Sequence, residues 1–339
     1  MITSPGAKVP PWRDVRKLEV AAQVLFIFLL ALAVWGARLE VGRSFIRQNI
    51  HLDWSFWRQP ASFQLTALTW TVDLETLRPK LYDPGDSAGE AMIAGLFNTV
   101  KVAVLGVVLA TLLGLFVGIA RLSRNWLVSR LALAFVELFR NTPLLVQLFF
   151  WYFAVFLQLP SGAPGQPPIR LFADLVVLTN AGLALGGTVV ERFGRLTVDG
   201  GVQLTTEFAA LLVGLAVYTS AFIAEIIRGG ILAVSRGQME AARSLGLTHG
   251  QALRLIVLPQ ALRIVIPPLG NQFLNLTKNS SLALGIGYAE FLTAANTVSS
   301  QSFRSLEAFT AVTLGYLVLS LIISGLLNLV RARLHLAPV

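Results

Sequence analysis

Six apolar stretches, at about residues 20–37, 91–120, 131–157, 207–227, 264–289 and 308–330, leave this chain few folds to choose from. As helices they are about the length needed to cross a hydrocarbon layer ~30 Å thick, where only helices and closed barrels satisfy their own backbone. Only 13% of residues are charged and 55% are hydrophobic, whereas a soluble domain carries about 25% charged residues. Too little polar surface is left to face water all round. The expected fold is therefore all-α and integral to a membrane, with about six transmembrane helices.

Charge placement orients those helices. The flanks of one set of ends hold 14 Lys and Arg against three acids, Asp14, Glu19 and Glu240. The opposite flanks hold 10 basic and 13 acidic residues. Basic residues stay on the cytoplasmic side, so both termini and residues 228–263 are expected there. The basic residues are scattered over several loops, which argues against nucleic acid and allows at most weak attraction to membrane lipid. Cysteine is absent and His51, His249 and His335 lie far apart, outside any HExxH motif. Disulfides, thiolate metal sites and Cys nucleophiles are thereby excluded, and no convergent catalytic set marks an enzyme. The basic stretch before the first apolar run has no small-residue cleavage site after it, so that run is read as a retained span.

Along the chain, residues 1–19 read as a cytoplasmic tail, and 20–90 as an N-terminal transmembrane helix with an external loop. In that loop Trp54 and Trp57 suit the interface and Asp83-Pro84-Gly85-Asp86 is a turn. Residues 91–332 form the main membrane domain, and 333–339 a second cytoplasmic tail. Gly114-x-x-x-Gly118 allows close approach of another helix. Four prolines in 158–170 exclude regular helix and open an external excursion to about residue 206. Within it, 171–190 is apolar enough for an interfacial or partly re-entrant segment. A seventh crossing there would invert the charge bias.

Between the fourth and fifth spans lies a polar, helix-forming segment, 235–259. Ser235-x-x-Gln238 predicts the cap of a short helix that Gly246 ends. Thr248-x-x-Gln251 caps a second, which Pro259 limits. Ala241, Ala242 and Leu245 give the first helix a small apolar face, suited to a groove on another protein or to a lipid surface.

The pattern Glu240-Ala241-Ala242, Gly246, Ile256-x-Leu258-Pro259 resembles the cytoplasmic coupling loop of ABC importer permeases. Phe139-Arg140-Asn141-Thr142-Pro143-Leu144-Leu145-Val146-Gln147 resembles a stretch of the polar amino acid (HisM/HisQ-like) permeases, with Asn141 in place of their usual Gly. Residues 218–231 and Asn275-Leu276-Thr277-Lys278-Asn279-Ser280-Ser281-Leu282 are similar to that family too. The branch most similar is the Q-type permease subunit of general L-amino-acid importers, over about residues 88–332. The resemblance implies a five-helix type I importer core with an added N-terminal helix, in a bacterial inner membrane. It also implies an ATP-binding subunit dimer, a second permease chain and an external amino-acid-binding protein as partners. Glu240, Ala241, Ala242, Leu245 and Gly246 take the coupling role by this resemblance. No Gly-Lys pair occurs, so no phosphate-binding loop is present. No cofactor is expected in this chain, and ATP with magnesium belongs to the partner ATPase. A secondary transporter or channel acting without an ATPase is the alternative, although it has no use for such a loop.

A charge within the bilayer needs a partner or water. Thr142, Asn275, Lys278, Asn279 and Ser280 are candidate substrate-path residues, with Lys278, Asn279 and Thr142 suited to a carboxylate. Glu225 is a candidate for the ammonium, but it lies three residues before Arg228 and an i,i+3 ion pair competes. Glu137 and Arg140 have the same spacing and are expected to pair. Lys101 can snorkel towards the interface.

Overall fold

A computed structural model describes residues 15–47, 51–65, 69–172, 175–192 and 195–333. Most of the tails expected at 1–19 and 333–339 therefore lie outside the described residues. The chain divides into two compact units, Met1–Asp53 and Trp54–Val339. The first contains α1, Val15–Arg47, whose apolar side chains such as Phe26, Ile27 and Phe28 are exposed along its length. It runs ten residues beyond the expected span, carrying an Arg43–Glu40 pair at 3.6 Å.

The second unit begins with a 3₁₀ turn at Ser55–Arg58 and a short hairpin, β1 (Trp70–Val72) with β2 (Pro79–Leu81), in register Trp70 opposite Leu81. Helix α2 (Ala88–Arg121) starts at a capping box. The Ser87 hydroxyl accepts from the Glu90 backbone N–H, and the Glu90 carboxylate accepts from the Ser87 N–H at 2.8 Å. Asn125 caps α3 (Trp126–Arg140) by accepting from the Leu127 and Val128 N–H groups. The third expected span is bent. After α3 the chain breaks at Asn141-Thr142-Pro143 and continues as α4 (Leu144–Phe149), a π turn and a 3₁₀ turn to Gln158, with a 104° bend between the halves. Pro143 sits in extended backbone at the N-cap of α4, which proline tolerates and a helix interior does not.

Residues 171–190, expected as an interfacial or partly re-entrant segment, are built of strands and turns among the described residues. β3 (Ile169–Leu171), β4 (Val176–Thr179), β5 (Gly182–Leu185) and β8 (Val202–Thr205) form an antiparallel sheet in that order. A hairpin of β6 (Thr188–Arg192) and β7 (Arg195–Asp199) is inserted between β5 and β8. Gly182, at φ +140, lies so close to the Leu204 carbonyl that a side chain there would collide. An open-edged sheet leaves N–H and C=O groups unpaired, which does not suit exposure to hydrocarbon.

Six further helices complete the unit among the described residues. The first five are α5 (Thr206–Leu232), α6 (Arg236–Ser244), α7 (His249–Ala252), α8 (Leu258–Asn279) and, after a 3₁₀ stretch to Ile286, α9 (Phe291–Ser302). α10 (Ser305–Arg333) closes the fold. Among the described residues five helices are long and apolar enough to cross a membrane, and six spans result when the bent pair counts as one.

Helices α2 and α5 run side by side in the same direction. Gly114 faces Ile223 and the Ser220 carbonyl, and Gly118 faces the Ala224 carbonyl, so close that a Cβ at either would fall within 3 Å of its neighbour. α8 runs the other way, with Leu276 against Gly106 and Val265 against Gly230, and Gly270 seats Leu327 of α10. Val102, Leu148, Leu211, Leu215, Ile223 and Leu276 fill the core between them. A second cluster joins Met92 to Phe291, Ala295, Val298 and Val312.

Candidate functional site

The segment 235–259 forms the expected helix-turn-helix with different details. α6 ends in a Schellman turn. The Leu247 N–H donates to the Ala242 carbonyl at 3.2 Å and the Gly246 N–H to the Arg243 carbonyl at 2.9 Å. Gly246 takes the left-handed conformation, φ +85, that this turn needs. The second cap is a full box, in which Thr248 Oγ1 accepts from the Gln251 N–H and Gln251 Oε1 accepts from the Thr248 N–H at 2.9 Å.

The structure corrects three expectations here. Ser235 occupies the N-cap of α6 but its side chain makes no capping bond. Pro259 does not stop the second helix. A π turn at Leu253–Val257 carries α7 into α8, and Pro259 falls in the first turn of α8, where its missing N–H is harmless. The exposed apolar face also differs. Ala242 turns inward, only 3% exposed, while Glu240, Ala241 and Leu245 face outward, Leu245 at 84%. Residues 241 and 245 are one helical turn apart and share a face that 242 leaves.

The candidate path residues do not form one hydrogen-bonded set. Glu225 is held between two guanidiniums, with Arg121 Nη2 at 2.8 Å and Arg228 Nη2 at 2.9 Å. The i,i+3 partner was legible from the sequence and the second, on α2, was not. Thr142 Oγ1 donates to the Leu138 carbonyl at 2.9 Å and accepts from Gln147 Nε2 at 2.6 Å, bracing the bend between α3 and α4. Ser280 Oγ donates to the Thr277 carbonyl and is buried. Asn275 and Lys278 are exposed near the end of α8 and their side chains make no hydrogen bond or ion pair to another described residue, although the Lys278 carbonyl accepts from Ser281 Oγ at 2.7 Å, and Asn279 is half-buried beside them. Glu137 and Arg140 do not pair. Glu137 accepts from the Asn141 side-chain amide at 2.9 Å, and the Arg140 guanidinium lies 5.2 Å from the centre of the Phe222 ring.

One polar centre was missed altogether. Glu290, fully buried, caps α9 by accepting from the Leu292 and Thr293 N–H groups, and also accepts from Tyr316 Oη at 2.7 Å and Thr293 Oγ1 at 3.0 Å. Next to it, Thr99 Oγ1 accepts from the Phe291 N–H and Asn98 Nδ2 donates to the Ala289 carbonyl at 2.8 Å. These donors partly offset the desolvation of a carboxylate and tie α2, α9 and α10 together. Glu is a poor N-cap by preference. The only sequence signal was its place between two spans.

Residues 110–336 match the family model described as the binding-protein-dependent transport system inner membrane component. The chain belongs to this family. Among individual permeases, it is 39% identical over 319 residues to the putative amino-acid ABC transporter permease protein YhdX of Escherichia coli, covering 75% of this chain and 80% of that protein. It is 32% identical to the general L-amino acid transport system permease protein AapQ of Rhizobium johnstonii, covering 95% and 94%. Among solved structures it resembles one titled as the crystal structure of an amino acid ABC transporter with histidines, at 32% identity and a TM-score of 0.54, over 72% of this chain and 94% of that one. The bundle described above is thus the fold of a type I importer permease, and the helix-turn-helix at 235–259 lies within the family's matched region.

Proposed function

We propose that this chain is the permease subunit through which an ATP-driven importer carries L-amino acids inward by alternating access. In this reading both termini and the 235–259 loop face the cytoplasm. A pair of ATP-binding subunits docks on Glu240, Ala241, Leu245 and Gly246, with Ala242 holding the docking helix to its neighbour. A second, related permease chain completes the path, and an external binding protein delivers the amino acid. The observation that carries the reading is the outward-facing edge of α6 (Glu240, Ala241, Leu245), fixed by the Schellman turn at one end and the Thr248–Gln251 box beyond it. Asn275, Lys278 and Asn279, on a helix that continues directly from the loop, are the proposed path residues. Glu225, Thr142 and Ser280, engaged within the chain, are read as structural supports of that path.

The test is reconstitution of the chain in liposomes with and without its ATPase and second permease. L-Glutamine uptake that requires ATP and every subunit is the expected result. Uptake by this chain alone, driven by an ion gradient, overturns the proposal and favours a secondary transporter.

A further inference from the structure

Among the described residues, Lys101 is one of the cations without a carboxylate partner, and it packs on an aromatic ring instead. From Val102 to Ala120, α2 holds no Asp, Glu, Lys, Arg or His, and Arg121 follows. At 1.5 Å per residue, Lys101 and Arg121 stand about 30 Å apart, the thickness of the hydrocarbon layer. Lys101 thus lies at the boundary of that layer, at the end of the bundle remote from the 235–259 loop, rather than within it. Its Nζ sits 4.6 Å from the centre of the Phe208 ring, in the first turn of α5. It makes no ion pair or hydrogen bond with another described residue. Glu207, the acid nearest in sequence to that ring, accepts instead from Tyr152 Oη at 3.3 Å.

The same ring packs against Tyr288, with ring centres 5.6 Å apart. Tyr288 is 2% exposed, and its hydroxyl has no hydrogen-bond partner among the described residues. Trp151, which lies against Gly214 a turn and a half along α5, likewise has a buried indole N–H without a partner. Buried donors are rarely left unpaired, because each then loses its water for nothing. Lys101, an exposed residue, and the buried Tyr288 both contact the Phe208 ring, one bringing an ammonium donor and the other a hydroxyl donor. The chemistry that satisfies both is an anion with two or more acceptor oxygens.

We propose that Lys101, packed on Phe208, and the Tyr288 hydroxyl bind the α-carboxylate of the transported amino acid at the end of the permease remote from the 235–259 loop. This deepens the amino-acid reading above and rests on it. Phe208 serves as the apolar floor that holds the ammonium in place by a cation–π contact.

The test measures binding by the complete transporter in phosphatidylcholine nanodiscs, where no anionic headgroup competes and no binding protein is added. Tritiated L-glutamine, L-glutamate and L-arginine are titrated alongside their α-carboxamides. The expected result is binding of at least one acid by the wild type, weakened tenfold or more by Lys101→Met and by Tyr288→Phe, and restored by Lys101→Arg. Binding of the carboxamides should be weak and unmoved by these substitutions. Wild-type affinity retained in Lys101→Met overturns the site while leaving the amino-acid reading intact. A wild type that binds none of the three, in a complex that also fails to take them up with ATP, overturns both.

Discussion

The Arg121 guanidinium and the Glu225 carboxylate meet at 2.8 Å across 104 residues of sequence, and they fasten α2 to α5 at the end from which the 235–259 loop departs. Both side chains are largely buried and Arg228 closes the other side of the carboxylate. Removing one member therefore strands charge rather than only deleting a bond. Arg121→Met should cost about 1.5–3 kcal/mol, the range for a hydrogen bond to a charged group. Glu225→Gln should cost more, because it leaves two guanidiniums facing each other. Thermal unfolding of the purified variants in detergent measures both, and an order reversed from this one would contradict the clamp.

Gly246 separates backbone strain from docking. Its φ of +85 suits glycine and asparagine, and no atom lies within 4 Å of where a Cβ would stand. Gly246→Asn should leave the isolated chain's melting temperature nearly unchanged. Gly246→Val should loosen α6 at a cost of about 1 kcal/mol. Gly246→Trp and Glu240→Lys should leave the chain inserted while uncoupling ATP hydrolysis from uptake in the assembled complex. Equal uptake rates for Gly246→Trp and the wild type would remove the loop from the coupling path.

The parallel contact between α2 and α5 predicts a steric limit. Gly114→Leu would place side-chain atoms where Ile223 Cγ2 and the Ser220 carbonyl already are. Overpacking of this kind costs typically about 1–3 kcal/mol. Expression and monodispersity of Gly114→Leu should fall sharply, whereas Gly229→Leu, at a glycine with open space around it, should behave like the wild type.

The hairpin before α2 is predicted to loosen at both extremes of pH. Lys80 lies 2.8 Å from Asp86, 3.0 Å from Glu90 and 3.9 Å from Asp73. The hydrogen bond to Asp86 raises the Lys80 pKa above its ordinary value. Its stabilisation is complete below about pH 10.4 and fades as pH climbs through the raised value. Backbone N–H groups of Thr76 and Glu75 hold Asp73 below the usual carboxylate range. Its contribution is present above about pH 3.9 and disappears as pH falls through the lowered value. Limited proteolysis of residues 69–87 across pH should show a protected plateau between these limits. Lys80→Met should erase the alkaline shoulder and spare the acid one, and an unchanged alkaline limb would exclude Lys80 as its origin.

Spans whose apolar run is uninterrupted were legible: α2, α5 and α10 appear close to where hydropathy put them, because a bilayer-length run has few other uses. The bend at Asn141–Pro143 was not, since the composition of 131–157 is apolar on both sides of the break and the proline falls at an N-cap. The sheet at 169–205 was missed for a related reason. Short apolar runs fit helix or strand equally by periodicity, and Val176–Thr179 and Gly182–Leu185 are only four residues each. At the loop, the Gly246 turn and the Thr248 box were readable because each depends on local residues alone. The inward rotation of Ala242 and the reach of Arg121 to Glu225 depend on tertiary neighbours that no local pattern encodes.

The π turn at Leu253–Val257 makes α7, α8 and the 3₁₀ stretch behind them one helical rod, His249–Ile286, 38 residues long and about 57 Å from end to end. No loop interrupts the helix between Thr248 and Lys278. The rod is a continuous shaft, along which a push at the loop would reach Lys278 and Asn279. Pro267 and Pro268, within it, mark where such a shaft would flex first.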